Sequence, residues 1–188
     1  PSRRGDFSAG GNRWSVENSM KLLKTDYLDA VLILDPSDIA VPLAPGNALD
    51  ELLKMKEEGM IGHIGLGARP HDFHRRAIET GQIEIVLTFL DYTLLDQSVA
   101  RTTLPLAQER GVGIILASAL GMGRLAGPEP EEPEAHAIWQ WCRDEGVNIR
   151  HLAMQFCMAA PIEGIVMAGP SARRQVAEAC EAAAAAVP

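Results

Sequence analysis

The chain has 188 residues, of which 47% are hydrophobic and 22% charged, a balance that is typical of globular domains and excludes a disordered or collagen-like chain. Lys and Arg total 17 against 25 Asp and Glu, for a net charge of −8, which argues against a nucleic-acid binder because such proteins need clustered cations. No apolar run approaches the roughly 18 residues of a membrane span, and no signal peptide is apparent.

The cysteines are odd in number and far apart, at Cys142, Cys157 and Cys180. This spacing matches neither a disulfide framework nor a zinc site, so we expect free thiols in a reducing compartment, the cytoplasm. The first residue is Pro1 and not Met, which leaves room for the protein to begin upstream.

Five short runs rich in Ile, Val and Leu predict strands that are covered on both faces, as in a parallel sheet. They lie at 29–34, 61–66, 83–89, 112–117 and 164–167. Helical spacing of apolar residues predicts helices before, between and after them, at 15–23, 48–58, 71–80, 98–110, 134–145, 149–158 and 171–187. Within the fourth of these helices, Pro105 is expected to kink the helix or restart it.

The predicted order is one helix followed by five strand–helix units, which indicates a parallel α/β sheet in a single domain over residues 1–188. The Pro- and Glu-rich stretch at 126–134 is expected to be a surface loop. Two architectures fit this order. One is an open doubly wound sheet, and the other is five consecutive units of an eight-stranded barrel, whose full form needs about 250 residues.

Five segments carry a resemblance to the aldo-keto reductase family, in the right order along the chain. They are 15–36 (SVENSMKLLKTDYLDAVLILDP), 51–67 (ELLKMKEEGMIGHIGLG), 86–97 (VLTFLDYTLLDQ), 112–127 (VGIILASALGMGRLAG) and 164–178 (GIVMAGPSARRQVAE). The "DYTLLDQ" and "GLG" versions of these motifs resemble the sugar and pyridoxal dehydrogenase branch.

The resemblance implies a (β/α)8 TIM barrel of which this chain supplies strands four to eight. It also implies hydride transfer between a nicotinamide cofactor, NADP or NAD, and a small carbonyl or alcohol that is sugar-like or pyridoxal-like.

The proton-transfer residues of the family do not match this chain. The family uses a tyrosine, an aspartate and a lysine from the first part of the barrel, and a histidine that ends the fourth strand in a pattern like "LIHDP". Here residues 32–36 read LILDP, so Leu34 stands at the histidine position. Leucine has no hydrogen-bonding group. We therefore expect no catalytic residue in this chain and no turnover by the chain alone.

The resemblance places cofactor contacts in the loop after the fourth predicted strand. Ser118, Leu120 and Met122 would lie along the pyrophosphate, and Gly121 and Gly123 would let the backbone approach it closely. The physical logic is that loops at the carboxyl ends of strands, together with helix N-termini, offer N–H groups to phosphates.

The last loop and helix would hold the adenosine end of the cofactor by the same resemblance. Gly169, Pro170 and Ser171 would contact the phosphate, and Gln175 and Glu178, which are one helical turn apart, would face the adenine. Either arginine of the pair at 173–174 could bind a 2′-phosphate through its planar fork.

Other expected cofactor contacts depart from the family pattern. Gly67 and Ala68 replace a Ser-Asn pair, and Phe89 replaces a glutamine. Tyr92 follows the end of a strand, where barrel enzymes keep functional groups, and the alternative for it is a packing role. For His71 and His74, a solvated amphipathic helix is the simpler interpretation, and no metal site is expected.

Three functions are compatible with the sequence. The chain is part of an oxidoreductase, or a non-catalytic nucleotide-binding or regulatory partner with a degenerate fold of this family, or an unrelated α/β domain. We favour the first because the cofactor loops keep their glycine and polar content. Since five barrel strands leave two edges unpaired, the expected partners are a missing N-terminal barrel portion, a second chain or a further copy of this one. Neither nucleic acid nor a membrane is expected.

Overall fold

A computed structural model describes residues 5–185 of the chain. The helices are Ala9–Leu23 (α1), Ala40–Leu43 (α2), Ala48–Glu57 (α3), His71–Glu79 (α4), Thr103–Arg110 (α5), Pro133–Asp144 (α6), Ile149–Met158 (α7) and Arg173–Ala184 (α8). The strands are Leu28–Leu34 (β1), Ile61–Gly67 (β2), Ile85–Phe89 (β3), Gly113–Ala117 (β4) and Gly164–Met167 (β5). Short 3₁₀ helices lie at Ser98–Arg101 and Gly121–Gly123.

The chain divides into two compact units. The first runs to residue 87 and includes residues 106–113, and the second contains residues 88–105 and everything from residue 114 onward. The expectation of one domain over residues 1–188 therefore stays a prediction.

The first unit is built on parallel strand pairing. β1 pairs with β2 in a register that sets Leu34 opposite Gly67, and β2 pairs with β3 so that Gly67 also faces Leu87. The N–H of Gly113, which starts β4, donates to the carbonyl of Glu84 at 2.8 Å, so β4 begins beside β3. The strands follow one another in chain order. In a doubly wound sheet the spatial order of the strands reverses partway along the chain, so the observed order favours the barrel.

The second unit joins β4 and β5 in parallel and packs three helices with them. Ala117 lies opposite Met167 at the carboxyl ends of the pair. Two clusters of buried side chains form its core. One contains Leu125, Trp139, Cys142, Ile149 and Ala153, and the other contains Ala119, Met154, Cys157 and Ala182. Trp139 is buried while Trp141 is half exposed, as expected for two residues that cannot share a helix face.

The segments predicted to be helical are helical, but some of the helices begin or end at other residues than predicted. α1 begins six residues before the predicted Ser15 because the Ser8 hydroxyl accepts the N–H of Gly11 at 3.1 Å and caps the helix there. Its first turn is glycine-rich and polar, so apolar spacing could not reveal it. The four-residue α2 was not predicted. The predicted end of the last helix at Val187 lies outside the described residues.

The predicted helix at 98–110 is broken as Pro105 suggested. A 3₁₀ segment ends at Arg101, and α5 starts at Thr103, which places the proline in the first turn of α5. Proline is tolerated at that point because the first turn of a helix has no internal acceptors for its N–H groups.

His74 corrects the expectation of a solvated helix at 71–80. The side chain of His74 is fully buried, and its Nε2 donates to the carbonyl of Ala68 at 2.8 Å. The apolar residues of α4 alone could not predict this, because a histidine reads as polar unless an acceptor is known to face it.

Among the described residues, no helix is long and apolar enough to cross a membrane.

We predict that Gly65→Ala destabilises the protein by about 1–3 kcal/mol, the usual cost of overpacking. A Cβ at this position in β2 would contact the Leu32 side chain and would lie 2.7 Å from the carbonyl oxygen of Ile85. The control is Gly10→Ala in α1, where nothing lies within 4 Å of the new atom and stability should hold or rise by up to about 1 kcal/mol. Urea unfolding of both variants measures the difference, and equal midpoints would contradict the described packing.

We predict that Ellman's reagent labels one thiol of the folded protein quickly. Cys180 is exposed, while Cys142 and Cys157 are buried, and burial raises the pKa of the Cys157 thiol to about 11. The thiolate is the reactive form, so Cys157 should stay slow at pH values below that pKa. Cys180→Ser should remove the fast phase. Rapid labelling of two thiols in the native protein would contradict the burial of Cys142 and Cys157.

Candidate functional site

A groove of about 470 Å³ opens at the carboxyl ends of β4 and β5 in the second unit. Its volume falls within the range of small-molecule sites. The walls come from the loop after β4, the loop after β5, α7 and α8. The lining residues are Ala117, Ser118, Ala119, Leu120, Met122, Gly123, Ala126, Arg150, Met154, Met167, Ala168, Gly169, Pro170, Ser171, Arg174, Gln175, Glu178 and Ala179.

The loop after β4 bends through left-handed backbone. Ser118, directly after the strand, has φ 62°, and Met122 has φ 57°. Leu120 is right-handed at φ −85° and ψ 15°, and Gly121 follows at φ 58°. A right-handed residue followed by a left-handed one turns successive N–H groups toward one concavity, an arrangement that binds anions. The Gly121 N–H itself donates to the carbonyl of Ser118 at 2.8 Å, so an anion in this concavity would be bound by the neighbouring N–H groups of Leu120 and Met122.

The loop after β5 is tied to the start of α8 by one side chain. The Gln175 Oε1 accepts the N–H of Ser171 at 2.7 Å and the N–H of Ala172 at 3.2 Å, and the Ser171 hydroxyl also donates to it at 3.2 Å. Gln175 thus takes the place of a capping hydroxyl, because Ala172 at the N-cap has none. This tie fixes α8 relative to the groove floor and begins the helix at Arg173 rather than at the predicted residue 171.

Three ionic side chains line the groove, two arginines and one glutamate. The Nε of Arg150 lies 3.3 Å from Oε2 of Glu178, and the Nε of Arg174 lies 3.7 Å from Oε1 of the same carboxylate. The lining therefore carries a positive balance in a chain whose net charge is −8. Such a balance favours an anionic ligand.

Most of the residues expected to bind a cofactor lie together in this groove. They are Ser118, Leu120, Met122, Gly169, Pro170, Ser171, Gln175 and Glu178. Gly121 is buried within the same loop, between two of the lining residues. Of the two candidate arginines, Arg174 lines the groove and Arg173 is not among the lining residues. The binding role of each of these residues stays a prediction.

Phe89 and Tyr92 belong to the same unit but are not among the lining residues. The Tyr92 ring stacks on Phe156 with centroids 5.4 Å apart, and its carbonyl accepts the thiol of Cys157 at 3.0 Å. Burial raises the pKa of the Tyr92 phenol. The neighbouring Asp91 is buried and accepts a hydrogen bond from Thr88. These contacts match the packing alternative for Tyr92.

Gly67 and Ala68 lie in the first unit, at the carboxyl end of β2. The Ala68 N–H donates to the Leu87 carbonyl at 3.1 Å. A Cβ at Gly67 would come within 2.8 Å of Cδ1 of Leu34. Leu34 ends β1 with 60% of its surface exposed, and Asp35 follows it at φ 44°. Glycine at 67 thus leaves the space that the Leu34 side chain occupies.

Sequence reasoning missed the contribution of α7 to the groove. Arg150 and Met154 line it from this helix, and Ala126 lines it from the end of the β4 loop. The available signal was an arginine in the first turn of an otherwise apolar helix. A surface arginine has the same pattern, so only the packing of α7 against the loop distinguishes the two.

The comparisons with known proteins agree with this arrangement. The model of the Aldo/keto reductase family matches residues 2–187. A D-threo-aldose 1-dehydrogenase from Pseudomonas sp is 30% identical over 99% of this chain and 61% of its own length. An L-galactose dehydrogenase from Arabidopsis thaliana is 30% identical over 92% of this chain and 58% of its own.

A solved structure shows the same fold. The holo form of an aldo-keto reductase from Bacillus halodurans superposes with a TM-score of 0.79 at 24% identity, covering 96% of this chain and 64% of that one. The chain spans about three fifths of the length of the curated relatives described above. The expected fold, strands four to eight of a (β/α)8 barrel, is confirmed, and the chain belongs to the aldo/keto reductase family.

Proposed function

We propose that this chain forms the dinucleotide-binding part of an NAD(P)-dependent oxidoreductase that acts on a small carbonyl or alcohol of the sugar type. One observation carries the proposal. The loops after β4 and β5 form a single groove whose backbone concavity and positive balance suit a pyrophosphate. Both relatives described above are sugar dehydrogenases, which supports the substrate class.

The residues of the groove fit a dinucleotide by chemistry. The N–H groups of Leu120 and Met122 would donate to the phosphates, and the apolar surface of Leu120, Met122 and Met154 suits the faces of flat rings. Glu178 supplies a hydrogen-bond acceptor for an amino group. The bound nicotinamide would supply the hydride, while the residues of this chain bind and orient the dinucleotide.

Arg174 favours NADP over NAD in this proposal. It is 81% exposed at the groove edge and is held only by a 3.7 Å contact with Glu178. An exposed ion pair of this kind contributes little, so the guanidinium is available to a 2′-phosphate, which it binds well through two parallel hydrogen bonds.

Completion of the site requires the rest of the barrel. At the edges of the described sheet, β1 has a neighbour only in β2, and β5 only in β4, so each leaves one backbone edge for a further strand. We propose that an N-terminal barrel portion or a second chain supplies those strands together with the tyrosine, aspartate and lysine of the family. A reducing compartment, the cytoplasm, remains the proposed location.

A second candidate function is that of a nucleotide-binding partner without catalysis. Leu34 favours it, because a leucine at the histidine position can neither donate a hydrogen bond to a substrate carbonyl nor orient it. The exposed Leu34 side chain would place a methyl-bearing surface where the family has a polar one.

We predict that Arg174→Gln raises the Kd for NADPH about tenfold, which corresponds to about 1.4 kcal/mol, and leaves the Kd for NADH unchanged. The loss reflects the charge-assisted hydrogen bonds to the 2′-phosphate. Arg173→Gln is the matched control, since Arg173 precedes Arg174 in the same helix and is not among the groove residues. Titrations monitored by nicotinamide fluorescence measure both constants. If wild-type protein binds neither dinucleotide, the proposed function is wrong, and if the two variants behave alike, the choice of Arg174 is wrong.

We predict that the purified 188-residue chain alone oxidises no NADPH in the presence of small aldehydes or aldoses, because Leu34 cannot assist proton transfer. Measurable turnover at 340 nm by the wild-type chain would contradict this. In a completed barrel, Leu34→His should raise the rate if the protein is an enzyme weakened at this position. An unchanged rate would support the non-catalytic candidate.

A further inference from the structure

The guanidinium of Arg150 lies between the loop after β4 and helix α8. Its Nη1 donates to the carbonyl of Ala126 at 3.1 Å, and its Nε lies 3.3 Å from Oε2 of Glu178. The Asn148 side chain caps α7 by accepting the N–H of Arg150 at 3.0 Å. One side chain therefore joins three segments that are separate in sequence.

The loop is shaped to receive this arginine. Gly127 has φ 114°, and a Cβ there would lie 2.5 Å from Nη1 of Arg150. The carbonyl of Gly127 also accepts the indole N–H of Trp139 at 2.9 Å, which holds the peptide in place. A side chain at residue 127 is incompatible with the observed position of the guanidinium.

Arg150 is better placed than Arg174 to orient Glu178. The Arg150 side chain is 30% exposed and that of Glu178 is 19% exposed, whereas Arg174 is 81% exposed and more distant. A charge pair that is mostly shielded from water interacts more strongly than one in the solvent. Arg150 has a second anchor at Ala126 as well, so its position is the more restricted of the two.

We propose that Arg150 is a positioning residue of the nucleotide site, which holds the Glu178 carboxylate in place to select a purine with a 6-amino group. The inference rests on the proposed dinucleotide function. A carboxylate only accepts hydrogen bonds, so it favours the 6-amino group of adenine and repels the 6-oxo group of hypoxanthine. A carboxylate that is free to turn away discriminates less.

The test compares the Kd for NADPH with the Kd for its hypoxanthine analogue, both measured by fluorescence titration. Wild-type protein should bind the adenine form about tenfold more tightly, as expected for about 1.4 kcal/mol. Arg150→Gln should bring the two Kd values close together, mainly by weakening NADPH. Arg150→Lys should recover part of the preference because it retains the charge. Arg101→Gln, which removes an exposed arginine of the same unit, should behave as wild type.

A second pair of variants separates positioning from folding. Gly127→Ala displaces Arg150 without removing its charge and should also lower the preference for adenine. Gly146→Ala changes another left-handed glycine, at φ 66°, with nothing within 4 Å of the new Cβ, and should keep the preference. Thermal unfolding of each variant identifies any that fails to fold.

The outcomes distinguish the two proposals. If wild-type protein binds and Arg150→Gln keeps its preference for adenine, the role of Arg150 is wrong while the nucleotide site stands. If Arg150→Gln weakens both analogues equally, Arg150 only supports the loop, and the positioning role is again wrong. If wild-type protein binds neither analogue, the site and the role of Arg150 fail together.

Discussion

The parallel pairing of β4 with β5 is the constraint on which the candidate site depends. Because both strands run in the same direction and Ala117 lies opposite Met167, their following loops leave the sheet side by side. In a parallel sheet, the helices that follow must return along the faces, which brings the start of α8 to the same edge. Segments about fifty residues apart in sequence thus form one groove.

Backbone conformation rather than side-chain chemistry dominates the floor of that groove. The left-handed residues at Ser118, Gly121 and Met122 turn the chain sharply after β4. At the two non-glycine positions this conformation costs energy and persists only because the surrounding structure enforces it. Leu125, fully buried in the cluster beneath, anchors the far end of the loop. The ion pair of Arg150 and Glu178, to which we assign specificity, comes from helices α7 and α8.

The family relationship and the local chemistry support different conclusions, the first about membership and the second about the site. The family follows from the match across nearly the whole chain. The assignment of Leu34 to the family's histidine position stays a prediction, and Gly67 accommodates the Leu34 side chain at close range. The groove lies wholly in the second unit and Leu34 in the first, so the proposed binding and the proposed loss of chemistry can be tested separately.

The sequence by itself determined the five strands and the kinds of helix between them, because buried parallel strands and glycine-terminated helices leave strong local patterns. The expectation for the groove residues came from the resemblance of the loops to the family. Tertiary structure alone decided the rest. Whether a polar side chain such as His74 or Arg150 is solvated depends on which acceptor faces it, and here those acceptors are the carbonyls of Ala68 and Ala126. The same dependence on partners explains the early start of α1 at its Ser8 cap, where no apolar periodicity exists to reveal a helix.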